Sequence, residues 1–223
     1  MSRFLRTSSL SIFFLALFVG ALVGQAWAGW LQFNDQQVAQ GMGEIGLGRY
    51  LVSADFAVDV TENWQSEYLQ FLLYIVATVF FVQRGSPESP SHGGLGTDKE
   101  QKLGEHTLKD SPAWAKAGGA RTAIYAWSLT LVMATIFVVS WLAQSIAGWA
   151  AFNETRLQQL QDPLSWGTYL VNPDFWSRTL QNWQSEFLAV GSMAVLAIYL
   201  RQRGSAESKP VGEPHYSTGD KAG

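Results

Sequence analysis

Long apolar blocks alternate with polar stretches along this chain of 223 residues. The first block runs from Ser9 to Trp30 and the third from Thr122 to Trp149, and neither contains a charged residue. A helix needs about 20 apolar residues to cross a bilayer core, and both blocks are long enough. The helices of a soluble bundle would carry regular polar faces, which these blocks lack. We therefore predict two transmembrane helices here.

The second and fourth blocks contain shorter apolar runs, 68–82 and 187–200. A span of about 20 residues, counted back from the end of each run, reaches Asn63 and Asn182. The predicted spans therefore bring Glu67 and Glu186 into or near the membrane. The fold class predicted from this pattern is an all-α membrane protein with four transmembrane helices.

The N-terminus has a second interpretation. Arg3 and Arg6, the apolar run and Ala26-Trp27-Ala28 together are typical of a cleaved secretory signal. The apolar run is long for a signal, however, and the same junction recurs at residues 144–149. These features favour a retained helix over a cleaved signal.

The second half of the chain repeats the first at a shift of 119 residues, without a gap. Between residues 25–89 and 144–208, 26 of 65 positions are identical. The sequence Asn-Trp-Gln-Ser-Glu occurs at 63–67 and 182–186, and Gln-Arg-Gly-Ser at 83–86 and 202–205. We predict a tandem duplication of a two-helix unit. Because each unit has an even number of spans, the copies share one orientation, and their pseudo-twofold axis lies along the membrane normal.

Four regions follow from this pattern. Residues 1–84 are predicted to form the first two-helix repeat and residues 122–203 the second. Between them, residues 85–121 open with a Gly-, Ser- and Pro-rich stretch that is typical of a flexible linker. Residues 204–223 have a similar composition, which predicts a disordered tail.

The distribution of Lys and Arg predicts the orientation. Cytoplasmic flanks of membrane proteins are enriched in these residues. They are concentrated at the N-terminus, in the linker and in the tail, whereas the other two loops hold Arg49, Arg156 and Arg178. We therefore expect a multi-pass protein of the inner membrane with both termini and the linker in the cytoplasm.

The composition excludes several kinds of binding site and catalytic chemistry. The net charge is −3 and there is no cysteine, so a nucleic-acid surface is not indicated and thiol chemistry is excluded. The three histidines, His92, His106 and His215, fit no metal-binding spacing. No catalytic motif is recognisable. We expect no enzymatic activity, no cofactor and no bound metal.

The repeated Asn-Trp-Gln-Ser-Glu block is the candidate polar site. Asn63 and Glu67 are four residues apart and share a helical face, as do Asn182 and Glu186. An acid inside a membrane is costly unless it is paired, protonated or hydrated, and it often marks a functional site. Polar residues also fix helix packing without further function, and this alternative stays open. We predict that both glutamates face the bundle interior near the pseudo-twofold axis.

A second candidate polar pair consists of two charged residues at equivalent positions of the two halves. Asp59 aligns with Arg178, so residues of opposite charge occupy equivalent positions in the two halves. Equivalent positions near a twofold axis can face each other, which makes a cross-repeat ion pair possible. The alternative is two solvated charges, because exposed pairs contribute little to stability.

The repeated Tyr-Leu-Val, Asp-Phe and Asn-Trp-Gln-Ser-Glu blocks, each unit ending in Gln-Arg-Gly-Ser, resemble an uncharacterised family of bacterial four-helix membrane proteins, a domain of unknown function. This resemblance implies an inner-membrane protein without an assigned activity or ligand. The sequence favours a structural or accessory protein that binds lipids, a membrane-protein partner or further copies of itself. The alternative is a small transporter or an ion- or proton-conducting protein that uses the paired glutamates.

Overall fold

The computed structural model describes residues 7–90 and 93–219, and every regular element in these ranges is helical. Arg3, Arg6, His92 and Lys221, which entered the predictions above, lie outside the described residues. In chain order the elements are α1 (Ser9–Ala39), α2 (Leu47–Tyr50), α3 (Ala54–Phe80), a 3₁₀ turn (Gly104–His106), α4 (Ala113–Lys116), α5 (Gly119–Ala126), α6 (Ser128–Gln158), α7 (Trp166–Tyr169) and α8 (Pro173–Tyr199).

Helices α1 and α6 have 31 residues each, and both are long and apolar enough to cross a membrane. At 1.5 Å per residue each is about 46 Å long, which exceeds the thickness of a bilayer core. In α1 the buried residue is Asn34, near the C-terminal end, whereas residues 9–24 contain no buried side chain. Length and composition thus make these two helices candidate membrane spans.

Helices α3 and α8 have 27 residues each, which corresponds to about 40 Å. Helix α8 starts at Pro173, and the side chain of Asn172 accepts a hydrogen bond from the Asp174 amide at 2.9 Å. Proline at the first helical position and Asn as N-cap are favourable because the first amides of a helix lack internal partners. At the start of α3, the hydroxyl of Ser53 accepts from the Phe56 amide at 3.2 Å.

Contacts divide the chain into two compact units, one formed by 1–60 with 143–166 and the other by 61–142 with 167–223. Each unit therefore combines segments from both halves of the sequence.

In the first unit, two loops are held by the same arrangement of hydrogen bonds. The Trp30 indole donates to the Ile45 carbonyl at 2.6 Å, and the Asn34 amide exchanges two hydrogen bonds with the Ile45 backbone at 2.9 and 3.0 Å. At positions 119 residues later, Trp149 donates to Leu164 at 2.7 Å, and Asn153 bonds its backbone at 2.8 and 2.9 Å. These side chains supply partners to backbone groups that no helix or strand could satisfy.

In the second unit, the C-terminal tail contains a buried charged residue. Lys209 is 6% exposed. Its ammonium group donates to the Gly85 carbonyl at 2.6 Å and to three carbonyls of the tail itself at 3.0–3.2 Å: those of Pro214, His215 and Ser217. Burial lowers the pKa of Lys209, as does the nearby Arg201, while Glu213 raises it. One buried charge with four acceptors thus orders a segment that has little apolar surface of its own.

Residues 85–121, which the sequence predicts to be a flexible linker, contain turns closed by serine hydroxyls and three short helical segments. Ser86 and Ser89 are buried, and the Ser89 hydroxyl accepts a hydrogen bond from the Gln83 amide at 2.9 Å. The 3₁₀ turn, α4 and the start of α5 lie within residues 85–121. Turns closed by serine hydroxyls need no apolar core, so composition alone does not indicate this order.

Candidate functional site

Helices α3 and α8 are joined in the second unit by three polar contacts. The Arg178 guanidinium lies 3.3 Å from the Glu62 carboxylate. The Trp183 indole donates to the Gln65 carbonyl oxygen at 2.8 Å, and the Ser66 hydroxyl lies 3.4 Å from the Glu186 carboxylate. We call this set the polar clamp: Glu62, Gln65, Ser66, Arg178, Trp183 and Glu186.

Helical periodicity places the clamp residues of α3 on one face. Residues three and four positions apart lie side by side on a helix, so Glu62 is adjacent to Gln65 and Ser66. Gln65 and Ser66 are 0% and 1% exposed, and Leu69, one turn further, is also buried. This face of α3 is therefore packed, and its polar groups must find partners within the protein.

At one end of the clamp, Arg178 contacts two carboxylates. Its second partner is Asp174, at 3.5 Å and one helical turn away on α8. The cross-repeat pair of Arg178 with Asp59 stays a prediction. Asp59 belongs to the first unit, where burial raises the pKa of Tyr50, and the negative charges of Asp59 and then Asp55 raise it further.

At the other end, the two glutamates have different surroundings. Glu186 is half-buried against Ser66, whereas Glu67 is exposed, and their carboxylates are close enough to interact electrostatically. For Glu67 the structure thus differs from the interior placement expected from the sequence. The helical face that contains Gln65 and Ser66 is the buried one, and Glu67 lies at its edge.

The Ser66 hydroxyl lies near two oxygen acceptors. It contacts the Asn63 carbonyl at 2.9 Å as well as Glu186. A hydroxyl has one proton to donate. The Ser66 hydroxyl therefore donates its proton to one of these two acceptors at a time.

The two asparagines of the repeated block have local roles in the described contacts. The Asn182 amide donates to the Arg178 carbonyl, one turn earlier, at 2.9 Å. Asn63 contributes its backbone carbonyl to Ser66. Both glutamates and both asparagines thus lie beside or within the clamp.

Sequence reasoning missed the bond between Gln65 and Trp183, although both residues belong to the repeated block. Their presence in both halves was the signal that could have identified them. The Gln65 amide nitrogen has no hydrogen-bond partner among the described residues. Trp183 also joins an aromatic group of α6 and α8, which includes Phe137, Trp141 and Phe187.

A cavity of 290 Å³ lies between α3 and α8, and its polar lining is Gln70, Tyr74 and Glu88. The Tyr74 hydroxyl donates a hydrogen bond to the Glu88 carboxylate. Burial raises the pKa of Glu88, the bond from Tyr74 lowers it, and the nearby Glu207 raises it. The described lining does not include Glu67 or Glu186. Over residues 7–90 and 93–219, no group of three or more histidines and acids could hold a metal ion.

These observations define a helical protein with two helices able to cross a membrane and a polar clamp between two further long helices. A family model described as Domain of unknown function (DUF6766) matches residues 1–220. The chain belongs to this family, which confirms the resemblance to a domain of unknown function. Neither the curated proteins nor the solved structures contain a match to the chain.

Proposed function

We propose that this chain is an integral inner-membrane protein with a structural or accessory role, which packs against lipids or a partner membrane protein. The observation that carries the proposal is the surface of α1. Its residues 12–24 are apolar around the whole helix and contain no buried side chain, and Phe13 and Val23 are 57% and 64% exposed. Such a continuous apolar surface marks contact with lipid or protein.

The proposal includes four spans arranged as a tandem duplication. The matched hydrogen bonds of Trp30 and Trp149, 119 residues apart, support the duplication. Helices α3 and α8 have the same length and are long enough to span with their first turns outside the hydrocarbon. The polar clamp then holds the second helix of each repeat to its equivalent, which is the packing role of polar residues in membrane helices.

We expect both termini and residues 85–121 to be cytoplasmic. A reporter that is active only in the periplasm should be inactive when fused after Ser89 and active when fused after Gly43, in the loop between α1 and α2. A matched reporter that is active only in the cytoplasm should give the opposite result at each site. Periplasmic activity of the Ser89 fusion would contradict this topology.

A second candidate function is conduction of protons or small cations. One observation favours it: a cavity that could admit water runs from Gln70 to Glu88, and Gln70 is one helical turn from the exposed Glu67. Acids joined by hydrated polar groups are a recurring feature of proton pathways in membranes.

Proton flux into sealed vesicles distinguishes the two functions. We expect reconstituted wild-type protein and the Glu67→Gln/Glu186→Gln variant to show the same flux as protein-free vesicles, because the clamp engages Glu186 in packing. Glutamine preserves the shape of the side chain and removes its charge. A wild-type flux well above that of protein-free vesicles, and its loss in the double variant, would support conduction and overturn the accessory role. Replacement of exposed Glu105 by glutamine is the matched control.

A further inference from the structure

The two halves end in turns of identical construction, which we call the inner turns (residues 83–89 and 202–208). In each, the last serine accepts from the first amide, at 2.9 Å for Ser89 and Gln83 and at 2.8 Å for Ser208 and Gln202. In each, a second serine accepts from the glutamate amide, at 3.3 Å in the first turn and 3.2 Å in the second.

The geometry of the inner turns accounts for most of their shared residues. Gly85 and Gly204 have φ of 88° and 83°, a conformation that residues with a side chain rarely adopt. The serines close the turns through their hydroxyls, and the Glu88 carboxylate accepts a hydrogen bond from Tyr74. The shared arginine is the residue that the turn itself does not require.

Arg84 and Arg203 are both exposed, and within residues 7–90 and 93–219 the structure describes no hydrogen bond or ion pair of either guanidinium. Arg201 shows the contrast, since its guanidinium donates to four backbone carbonyls: those of Ala197, Ile198, Leu200 and Glu213. An arginine that is present in both turns and makes no described internal contact is available for a partner outside the chain.

The surroundings of the arginines favour an anionic partner at the inner face of the membrane. Each arginine follows the C-terminal end of α3 or α8 by four residues, where the proposed spans reach the cytoplasmic boundary. The planar guanidinium fits two oxygens of a phosphate group. Beside Arg203 the inner turn borders a surface cavity of about 600 Å³, large enough for a lipid headgroup.

We propose that the two inner turns bind the phosphate groups of anionic phospholipids through Arg84 and Arg203, which anchors the cytoplasmic ends of α3 and α8. This inference rests on the proposed membrane placement, and it specifies that the bound lipids are anionic phospholipids. The glycine conformation and the serine bonds hold each turn in one shape, so the arginine is presented at a fixed position relative to its helix.

The test measures the binding of soluble short-chain phosphatidylglycerol and phosphatidylcholine to the full-length protein in mild detergent. We expect wild type to prefer phosphatidylglycerol and Arg84→Gln/Arg203→Gln to lose roughly thirtyfold in affinity for it, from about fivefold per arginine. The control variant Lys99→Gln/Lys102→Gln removes the same charge from exposed linker positions and should lose less than roughly threefold.

Equal losses in the two variants would overturn the proposal, because they would reflect overall charge alone. Competition with inorganic phosphate is a second test. Full competition by millimolar phosphate would identify free phosphate as the ligand and overturn the lipid assignment. Circular dichroism must show the same helix content in all variants. Extraction from cell membranes by detergent, but not by high salt, tests the membrane placement separately from lipid preference.

Discussion

Replacing Lys209 by methionine is expected to release the C-terminal tail from the Gly85 turn. Methionine keeps the apolar stem and removes the ammonium group, which leaves four carbonyl oxygens without their common donor. Hydrogen bonds of charged groups contribute about 1.5–3 kcal/mol each in such settings, and the cost of burying the charge offsets part of their sum. We expect a net loss of about 3 kcal/mol, or roughly a hundredfold in the docking equilibrium.

Amide hydrogen exchange over residues 205–219 measures this release directly. The exposed Lys99 supplies the control, since Lys99→Met makes the same chemical change at a site without burial. Wild-type protection of the tail in Lys209→Met would show that the carbonyl contacts do not hold it in place.

Substituting Gly29 by alanine is expected to disrupt the packing of α1 against Tyr50. A β-carbon at position 29 would overlap the Tyr50 hydroxyl. Tyr50 is 2% exposed and lies between the rings of Phe33 and Phe56, so it has little room to move. Overpacking of this kind costs about 1–3 kcal/mol, and we expect a lower thermal midpoint in detergent.

Gly20 and Gly24 of the same helix provide matched controls, because a β-carbon at either position meets no atom within 4 Å. Alanine there should leave stability unchanged or raise it slightly, since alanine favours helix more than glycine does. If Gly29→Ala were as stable as these two variants, close packing between α1 and Tyr50 would be excluded.

Hydrophobic patterning predicted the helical class and the positions of the long helices. The uncharged blocks around α1 and α6 indicated these helices because each is long and apolar enough to cross a membrane. The start of α8 was also predictable from the sequence, because Asn172 is favourable as the N-cap and Pro173 as the first helical residue. The resemblance to a domain of unknown function, inferred from the repeated motifs, was also correct.

The side of a helix on which an acid lies was harder to predict. Glu67 and Ser66 are neighbours in sequence, yet Ser66 is buried and Glu67 is exposed. A step of one residue rotates the side chain by about 100°, so the repeated block alone did not identify its buried face. The contacts of the tail were hard to predict for another reason. Its order depends on Lys209 reaching Gly85, a contact between residues 124 positions apart that composition does not reveal.

The polar clamp also bears on whether the two halves are interchangeable. Glu62 meets Arg178, but the first half has Asp59 at the position equivalent to Arg178, and the second has Gln181 in place of Glu62. If two copies of the first half were paired in this arrangement, Glu62 would face Asp59, and two acids would repel each other. If two copies of the second half were paired, Arg178 would face the uncharged amide of Gln181. The ion pair therefore needs one residue from each half of the sequence, because neither half supplies both of its partners.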